Sequence, residues 1–289
     1  MDELDDDKPV GRVLSRREML CLLGGASAAL IVGAGFSKFG GSQVASAATQ
    51  AATMAGTATL PACVVRPEET EGPYFVDEML NRSDIRIDPS DNSVTDGIPL
   101  HLVFRVSQVG TNSCTPLKGA QIDVWHCNAA GVYSDVKDPS FDTTGKKYLR
   151  GYQITGADGT VEFMTIYPGW YQGRTVHIHF KIRTDPTSQV GYEFTSQLFF
   201  DDKLTDQVYT QKPYVSKGIR TLRNDGDSIY QGGGDQLLLD VTKEGDGYAA
   251  TFDIGVDTSQ PKSAASAAGT PPGGAPRRGT PPQDGGTGN

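Results

Sequence analysis

Two histidines and two tyrosine-bearing turns carry the chemistry that this sequence can support. The segment Val176-His177-Ile178-His179-Phe180-Lys181-Ile182 alternates apolar and polar residues. In a strand, successive side chains face opposite sides. Val176, Ile178, Phe180 and Ile182 would then share one apolar face, with His177, His179 and Lys181 on the other. Imidazoles at i and i+2 lie close enough to bind one metal ion. The bland alternative is a polar stripe turned to solvent, and the pair alone does not decide between them. Tyr167-Pro168-Gly169-Trp170-Tyr171 lies immediately upstream, in a Pro-Gly turn that would deliver a side chain beside the histidine strand. Gly131-Val132-Tyr133-Ser134 follows a predicted strand that ends at His126. A tyrosine phenolate is a hard oxygen donor, and a bound cation lowers the phenol pKa until it ionises at neutral pH. Hard anionic oxygen favours Fe(III), whereas two histidines and a carboxylate usually hold Fe(II). The chain has 11 tyrosines, and residue chemistry by itself does not select two of them.

The elements that must position these residues read as strands. Pro99–Val106 places Leu100, Leu102, Phe104 and Val106 on one face, and Ala120–His126 places Ile122 and Val124 inward. Tyr148–Thr155 and Thr160–Ile166 flank Gly156-Ala157-Asp158-Gly159, which predicts a hairpin. Val176–Arg183, Ser196–Phe200, Gln236–Val241 and Tyr248–Ile254 complete the set. No window has a long apolar period of 3.6 residues. The pattern predicts an all-β fold, an antiparallel β-sandwich with long active-site loops. The stretches 129–147 and 201–234 are long enough to be functional or partly helical.

The 289-residue chain has a formal net charge of -9, which removes the electrostatic footprint of a nucleic-acid-binding protein. Residues 1–47 read as a twin-arginine-type signal segment: Arg12, Arg16 and Arg17 precede an apolar run from Met19 to Phe36, and Ala45-Ser46-Ala47 fits a cleavage site. The other reading of this run is a retained membrane anchor, which its glycines and alanines disfavour. Residues 48–60 read as a flexible leader, 61–257 as the folded domain, and 258–289 as a disordered Pro/Gly-rich tail. The expectation is an exported protein, extracytoplasmic or secreted, that meets the membrane only during export. Cys63, Cys114 and Cys127 remain after the signal. Outside the cytoplasm one disulfide and one odd thiol are expected, with three pairings open.

Several ordered motifs go further. Thr70-Glu71-Gly72-Pro73-Tyr74-Phe75, Gly119–Ser134, Leu149–Gln153 with Asp158-Gly159, and Pro168–Phe180 together resemble the intradiol ring-cleavage dioxygenases, which act on catechol, hydroxyquinol and protocatechuate. The resemblance runs in family order from about Cys63 to Phe200. It implies one Fe(III) per site, held by Tyr133, Tyr171, His177 and His179, with no organic cofactor. It also implies that Tyr171 leaves the metal to accept a substrate proton, that Arg174 stabilises anionic character on the substrate, and that Gln197 belongs to the same site. The reactants would be a small aromatic diol and O2, and the product a muconate-type diacid.

The sequence departs from the family in three places. Only Gln172 and Gly173 separate Tyr171 from Arg174, so one pocket wall should be more open and admit bulkier catechols. Arg174-Thr175-Val176-His177 stands where the family usually has Arg-Pro-Ala-His. The helical N-terminal dimerisation region of catechol dioxygenases is not recognisable, which leaves oligomeric state open. Trp170 reads as a pocket residue, Trp125 as structural, and Tyr152 as ambiguous. His126 and His101 read as hydrogen-bonded or exposed rather than as ligands. A competing reading is a non-catalytic extracellular sandwich that binds aromatic or carbohydrate ligands. A copper or zinc hydrolase is disfavoured, because no third His, Asp or Glu ligand stands at recognisable spacing.

Overall fold

Alternating apolar residues in two facing sheets set the architecture. The computed structural model describes residues 63–259 apart from Asn112 and residues 187–190. The predicted signal and leader, and the tail beyond Ser259, lie outside the described residues. Among the described residues there are eleven strands: β1 (Pro99–Val109), β2 (Cys114–Pro116), β3 (Gln121–Trp125), β4 (Lys137–Asp138), β5 (Phe141–Asp142), β6 (Arg150–Ile154), β7 (Thr160–Ile166), β8 (His177–Arg183), β9 (Glu193–Phe199), β10 (Val241–Glu244) and β11 (Gly247–Val256). One sheet has the order β10-β11-β1, with β7 and β2 paired in turn along the other edge of β1. The second has the order β6-β3-β8-β9 and is antiparallel throughout. β4 and β5 form a small ribbon.

Leu100, Leu102, Phe104, Val161, Phe163 and Phe252 from the first sheet meet Ile122, Val124, Ile178, Phe180 and Ile182 from the second in one core. Phe180 bridges the layers, with ring centroids 5.3 Å from Phe104 and 5.5 Å from Phe252. Burying such side chains contributes on the order of 1.5–3 kcal/mol each. The sandwich expected from the sequence is therefore present.

Three expectations change. β1 and β11 run parallel, in register from Leu100↔Tyr248 to Gln108↔Val256, so the first sheet is mixed. A parallel neighbour needs a long connection, and β11 arrives only after the long stretch that follows β9. The turn at 156–159 forms locally, with Gly159 N–H donating to Gly156 O at 3.1 Å, but it does not close a hairpin. β6 pairs with β3 and β7 with β1, so this turn passes the chain from one sheet to the other. The strand predicted at Gln236–Val241 is replaced by a 3-10 turn at Gly234–Gln236, and the strand begins at Val241. Leu237 and Leu239 mimic strand alternation because both are buried beside a single backbone bridge to Phe199.

The histidine-bearing face of the second sheet is covered, not solvated. Every residue of β8 and β9 is buried. The chain ahead of β1 lies over this face: Glu69 N–H donates to Thr195 O at 3.0 Å, and Arg82 N–H to Tyr152 O at 3.0 Å. Buried Lys181 pairs with Glu71 and with Glu193 (2.7 Å), its ammonium 4.2 Å from the Phe75 ring centroid. Arg183 pairs with Asp123 and Asp77, each at 2.7 Å.

The long stretch after β9 is partly helical, with α1 (Asp202–Val208) capped by Asp201 and α2 (Ser228–Gln231) capped by Asp227. Of the three cysteine pairings left open, Cys63–Cys114 forms, tying the start of this covering segment to β2. Cys127 is free and buried. Its Sγ–H meets Gly169 O at 3.4 Å, and burial pushes the thiol up to about 12. Among the described residues no helix is long and apolar enough to cross a membrane.

Candidate metal centre

β8 presents His177 and His179 from alternate positions on its covered face. His177 Nδ1–H donates to Thr175 O at 2.7 Å, which leaves the Nε2 lone pair available. His177 Nε2 and His179 Nε2 are 3.1 Å apart. Tyr171 Oη lies 3.1 Å and Tyr133 Oη 3.5 Å from His177 Nε2. Four predicted donors from three separate segments thus converge on one buried point.

The two tyrosine turns are interlocked through glycines. Asn128 Oδ1 accepts from Ala130 N (2.9 Å) and Val132 N (3.1 Å), folding the turn before Tyr133. Gly131 at φ +76° lies against the Trp170 carbonyl, where a Cβ would collide with backbone. Gly169 lies equally close to Asn128 O and Ala129 O. Beyond Tyr133, Arg150 donates to Ser134 O (Nη2, 2.7 Å) and Ser134 Oγ (Nε, 2.9 Å). The Tyr133 ring is stacked by Tyr74 at 4.5 Å and 25°, and Tyr74 Oη donates to Asp138 Oδ2 at 2.8 Å.

A single row across the second sheet, Arg150↔Trp125↔His179↔Gln197, explains much of the rest. Trp125 stacks on His179, and a Cβ on Gly72 would stand 3.3 Å from His179 Cε1. Gln197, next to His179 on β9, accepts from Arg174 Nη2 at 2.6 Å through Oε1, and its Nε2–H donates to Thr70 O at 2.9 Å. Arg174 Nε–H donates to Asp227 Oδ2 at 3.0 Å. Arg174 and Gln197, both singled out by the resemblance, are therefore hydrogen-bonded to each other. Asp227, Thr70 and Tyr74 were not identified as site residues by type or spacing. Only the quoted motif Thr70–Phe75 pointed near them.

The remaining singled-out residues fall away from the four donors. His126 is buried, donates from Nδ1 to Cys127 O (2.9 Å) and accepts from Thr165 Oγ1 at Nε2 (2.7 Å). His101 faces Glu162 and Glu244 at 3.4 and 3.6 Å. Tyr152 sits opposite Asp123, two rows removed from the Trp125–His179 row. Trp170 is half-buried beneath the Lys217 ammonium, 4.8 Å from its ring centroid.

Electrostatics suit a cation. Burial, with the Arg174 charge acting in the same direction, pushes His177 down to about 3. Burial and then His177 push His179 well below its ordinary value. Both imidazoles are neutral donors at pH 7. Burial raises the Tyr133 phenol well above 10, with Tyr171 acting in the same direction. A phenol so placed ionises when a bound cation supplies the opposite charge. Two nitrogen donors each about 2.1 Å from one ion and about 90° apart stand about 3 Å from each other. The His177–His179 separation of 3.1 Å fits that geometry. Among the described residues no group of three or more His, Cys, Asp or Glu side chains could hold a metal. The set that could hold one here is two imidazoles and two phenols, which matches ferric iron.

Residues 70–228 match the family model described as "Dioxygenase". The chain belongs to the intradiol ring-cleavage dioxygenase family. Within that family it is 29% identical over 163 residues to catechol 1,2-dioxygenase 1 of Acinetobacter lwoffii, covering 47% of this chain and 49% of that one. It is 28% identical over 179 residues to the protocatechuate 3,4-dioxygenase beta chain of Burkholderia cepacia, covering 58% and 69%. The chain thus spans about half of the first relative's length. The solved structure of an intradiol ring-cleavage dioxygenase from Tetranychus urticae superposes with a TM-score of 0.60 at 27% identity, over 70% of this chain and 98% of that one.

Proposed function

We propose that this chain is an exported Fe(III) dioxygenase that cleaves a catechol-type ring between its two hydroxyl-bearing carbons. The observation that carries the reading is the convergence of His177, His179, Tyr133 and Tyr171 beside the anchored guanidinium of Arg174. The reaction balances without a reductant: a diol and O2 give a diacid that contains both oxygen atoms. Ferric iron, when bound, supplies a Lewis acid for the two diol oxygens and draws charge from the ring, which opens it to O2.

The protein's residues divide the remaining work. Tyr133 is fully buried and stacked, so it serves as a fixed donor. Tyr171 is half-buried beside the exposed Gln172 and Gly173, so its Oη is the phenol oxygen able to take a proton from a substrate hydroxyl. Arg174 presents a fixed positive charge where the ring becomes anionic, and preorganised charge of this kind stabilises a transition state strongly. Gln197 holds one edge of that guanidinium. The short exposed turn at Gln172-Gly173 supports acceptance of substituted catechols. A Cβ on Gly173 would meet nothing within 4 Å among the described residues.

Export is supported by the twin-arginine-type segment and by the Cys63–Cys114 disulfide, since such bonds persist in oxidising compartments. The deciding experiment is a visible absorption spectrum of the purified, iron-loaded protein, with and without catechol under nitrogen. Tyrosinate on Fe(III) gives a broad charge-transfer band that catechol shifts to longer wavelength. A protein that stays colourless after loading with iron would reject the reading in favour of a non-catalytic binding sandwich.

A further inference from the structure

Stabilising an anionic ring requires a guanidinium fixed in direction, and one carboxylate fixes that of Arg174. Asp227 lies 53 residues beyond Arg174 in sequence and is 1% exposed. Its Oδ2 accepts from Arg174 Nε at 3.0 Å and from Thr175 N at 2.7 Å. Its Oδ1 accepts from Ile229 N at 2.9 Å and Tyr230 N at 3.2 Å, closing the first turn of α2. With two donors on each oxygen, the carboxylate cannot rotate. The far edge of the same guanidinium is held through Nη2 by Gln197 at 2.6 Å, and Gln197 is tied in turn to Thr70 O.

A second tether runs beside the first. Thr175 Oγ1–H donates to Asn224 Oδ1 at 2.6 Å, and Asn224 Nδ2–H donates to Phe200 O at 2.8 Å. The segment 224–230 is therefore docked on the two residues that lead into the histidine strand. The Thr175 N–H bond also gives the departure at this position a physical meaning. A proline, as in Arg-Pro-Ala-His, has no N–H to donate, so a chain with proline here could not make this contact.

We propose that Asp227 is a positioning residue for ring cleavage, holding Arg174 in the direction its charge must act. The inference rests on the function proposed above. Asp227 acts directly on Arg174 and bonds no metal-holding side chain; its contact with Thr175 N reaches His177 only through the Thr175 backbone. An electrostatic stabiliser acts only if it is already aimed at the developing charge, and a displacement near 1 Å can cost roughly 100-fold in rate.

The test uses the iron-loaded full chain, with catechol and O2 uptake, on Asp227→Asn, Arg174→Gln and the double variant. Asp227→Asn should keep the charge-transfer band and KM while kcat falls roughly 10- to 100-fold. In the Arg174→Gln background the same substitution should cause no further loss, because the residue it positions is already gone. Wild-type kcat in Asp227→Asn, or losses that multiply in the double variant, would overturn the proposal. Should Asp227→Asn lose its fold or its band, Asp227→Glu is read in its place. There too a fall in kcat at constant KM supports the proposal, and wild-type kcat overturns it. If Asp227→Glu also loses fold or band, Asp227 is a structural residue of the whole domain and the proposal falls. A wild-type protein with neither colour nor activity would instead sink the proposed function, and this inference with it.

Discussion

The indole of Trp125 lies parallel to the imidazole of His179, with ring centroids 5.0 Å apart and 7° between planes. This stack does for His179 what a hydrogen bond does for its neighbour. His177 is oriented by the bond from Nδ1 to Thr175 O, whereas His179 Nδ1 is buried with no partner among the described residues. The aromatic face of Trp125 on one hand and the close backbone at Gly72 on the other set the direction of the His179 lone pair.

Trp125→Leu should therefore weaken iron binding while the fold survives. Groups that orient a metal ligand typically contribute 10- to 100-fold in affinity. Iron content after dialysis against a chelator series measures this. Trp125→Phe, which keeps an aromatic face, should retain more iron than Trp125→Leu. Equal loss in the two variants would show that bulk rather than stacking matters.

Removing a donor should be more severe. Tyr133→Phe and His179→Ala should each lose the charge-transfer band and turnover, since each deletes one of four converging groups. Plasma emission for bound iron together with visible spectroscopy checks this. Full retention of iron in both variants would remove these residues from the metal site.

How much of this was readable in advance differs by residue. His177 and His179 could be singled out because strand alternation is local: an apolar face at 176, 178, 180 and 182 forces the histidines onto the opposite face. Their burial could not be read, because it depends on the chain ahead of β1 folding over that face. Only the family resemblance sets Tyr133 and Tyr171 apart, since nothing local distinguishes them from the other tyrosines. The turn at 156–159 was legible as a turn, but its flanking strands go to different sheets, and the choice of sheet is made by distant partners. Asp227 was invisible for the same reason, because its partner Arg174 is 53 residues away. The one local sign was an aspartate ahead of Ser228-Ile229-Tyr230, the pattern of a helix cap.

Gly131→Ala should unfold the turn that carries Tyr133. The residue sits at φ +76° with the Trp170 carbonyl against it. Left-handed backbone costs a residue with a Cβ about 1–2 kcal/mol, and displacement of the Trp170 backbone adds to that. Thermal melting should show a lower midpoint together with lost iron, because Trp170 adjoins Tyr171. An unchanged midpoint would show that the two turns are not interlocked.

The disulfide should be worth more than any of these to stability alone. It closes a loop with a sequence separation of 51, for which chain entropy gives about 4 kcal/mol. Cys63→Ser should lower the denaturation midpoint by a corresponding amount without altering the charge-transfer band, because the bond lies at the sheet edge. Loss of the band would mean that the covering segment detaches with it.

Glu69 offers a prediction with a definite sign. Burial pushes its carboxyl up to about 7, against the attraction of Arg174 and with the repulsion of Asp227. Its Oε2 has no hydrogen-bond partner among the described residues, as suits a protonated acid. Between its ordinary value near 4.5 and about 7 the folded protein keeps a proton that the unfolded chain has released. The stability this group contributes is thus complete at pH below about 4.5 and is lost as pH rises through about 7. Glu69→Gln removes the titration, so stability relative to wild type should increase from pH 5 to pH 7.5. Urea midpoints at the two values measure it. A difference between wild type and variant that stays constant across that interval would show that Glu69 is already ionised in the folded protein.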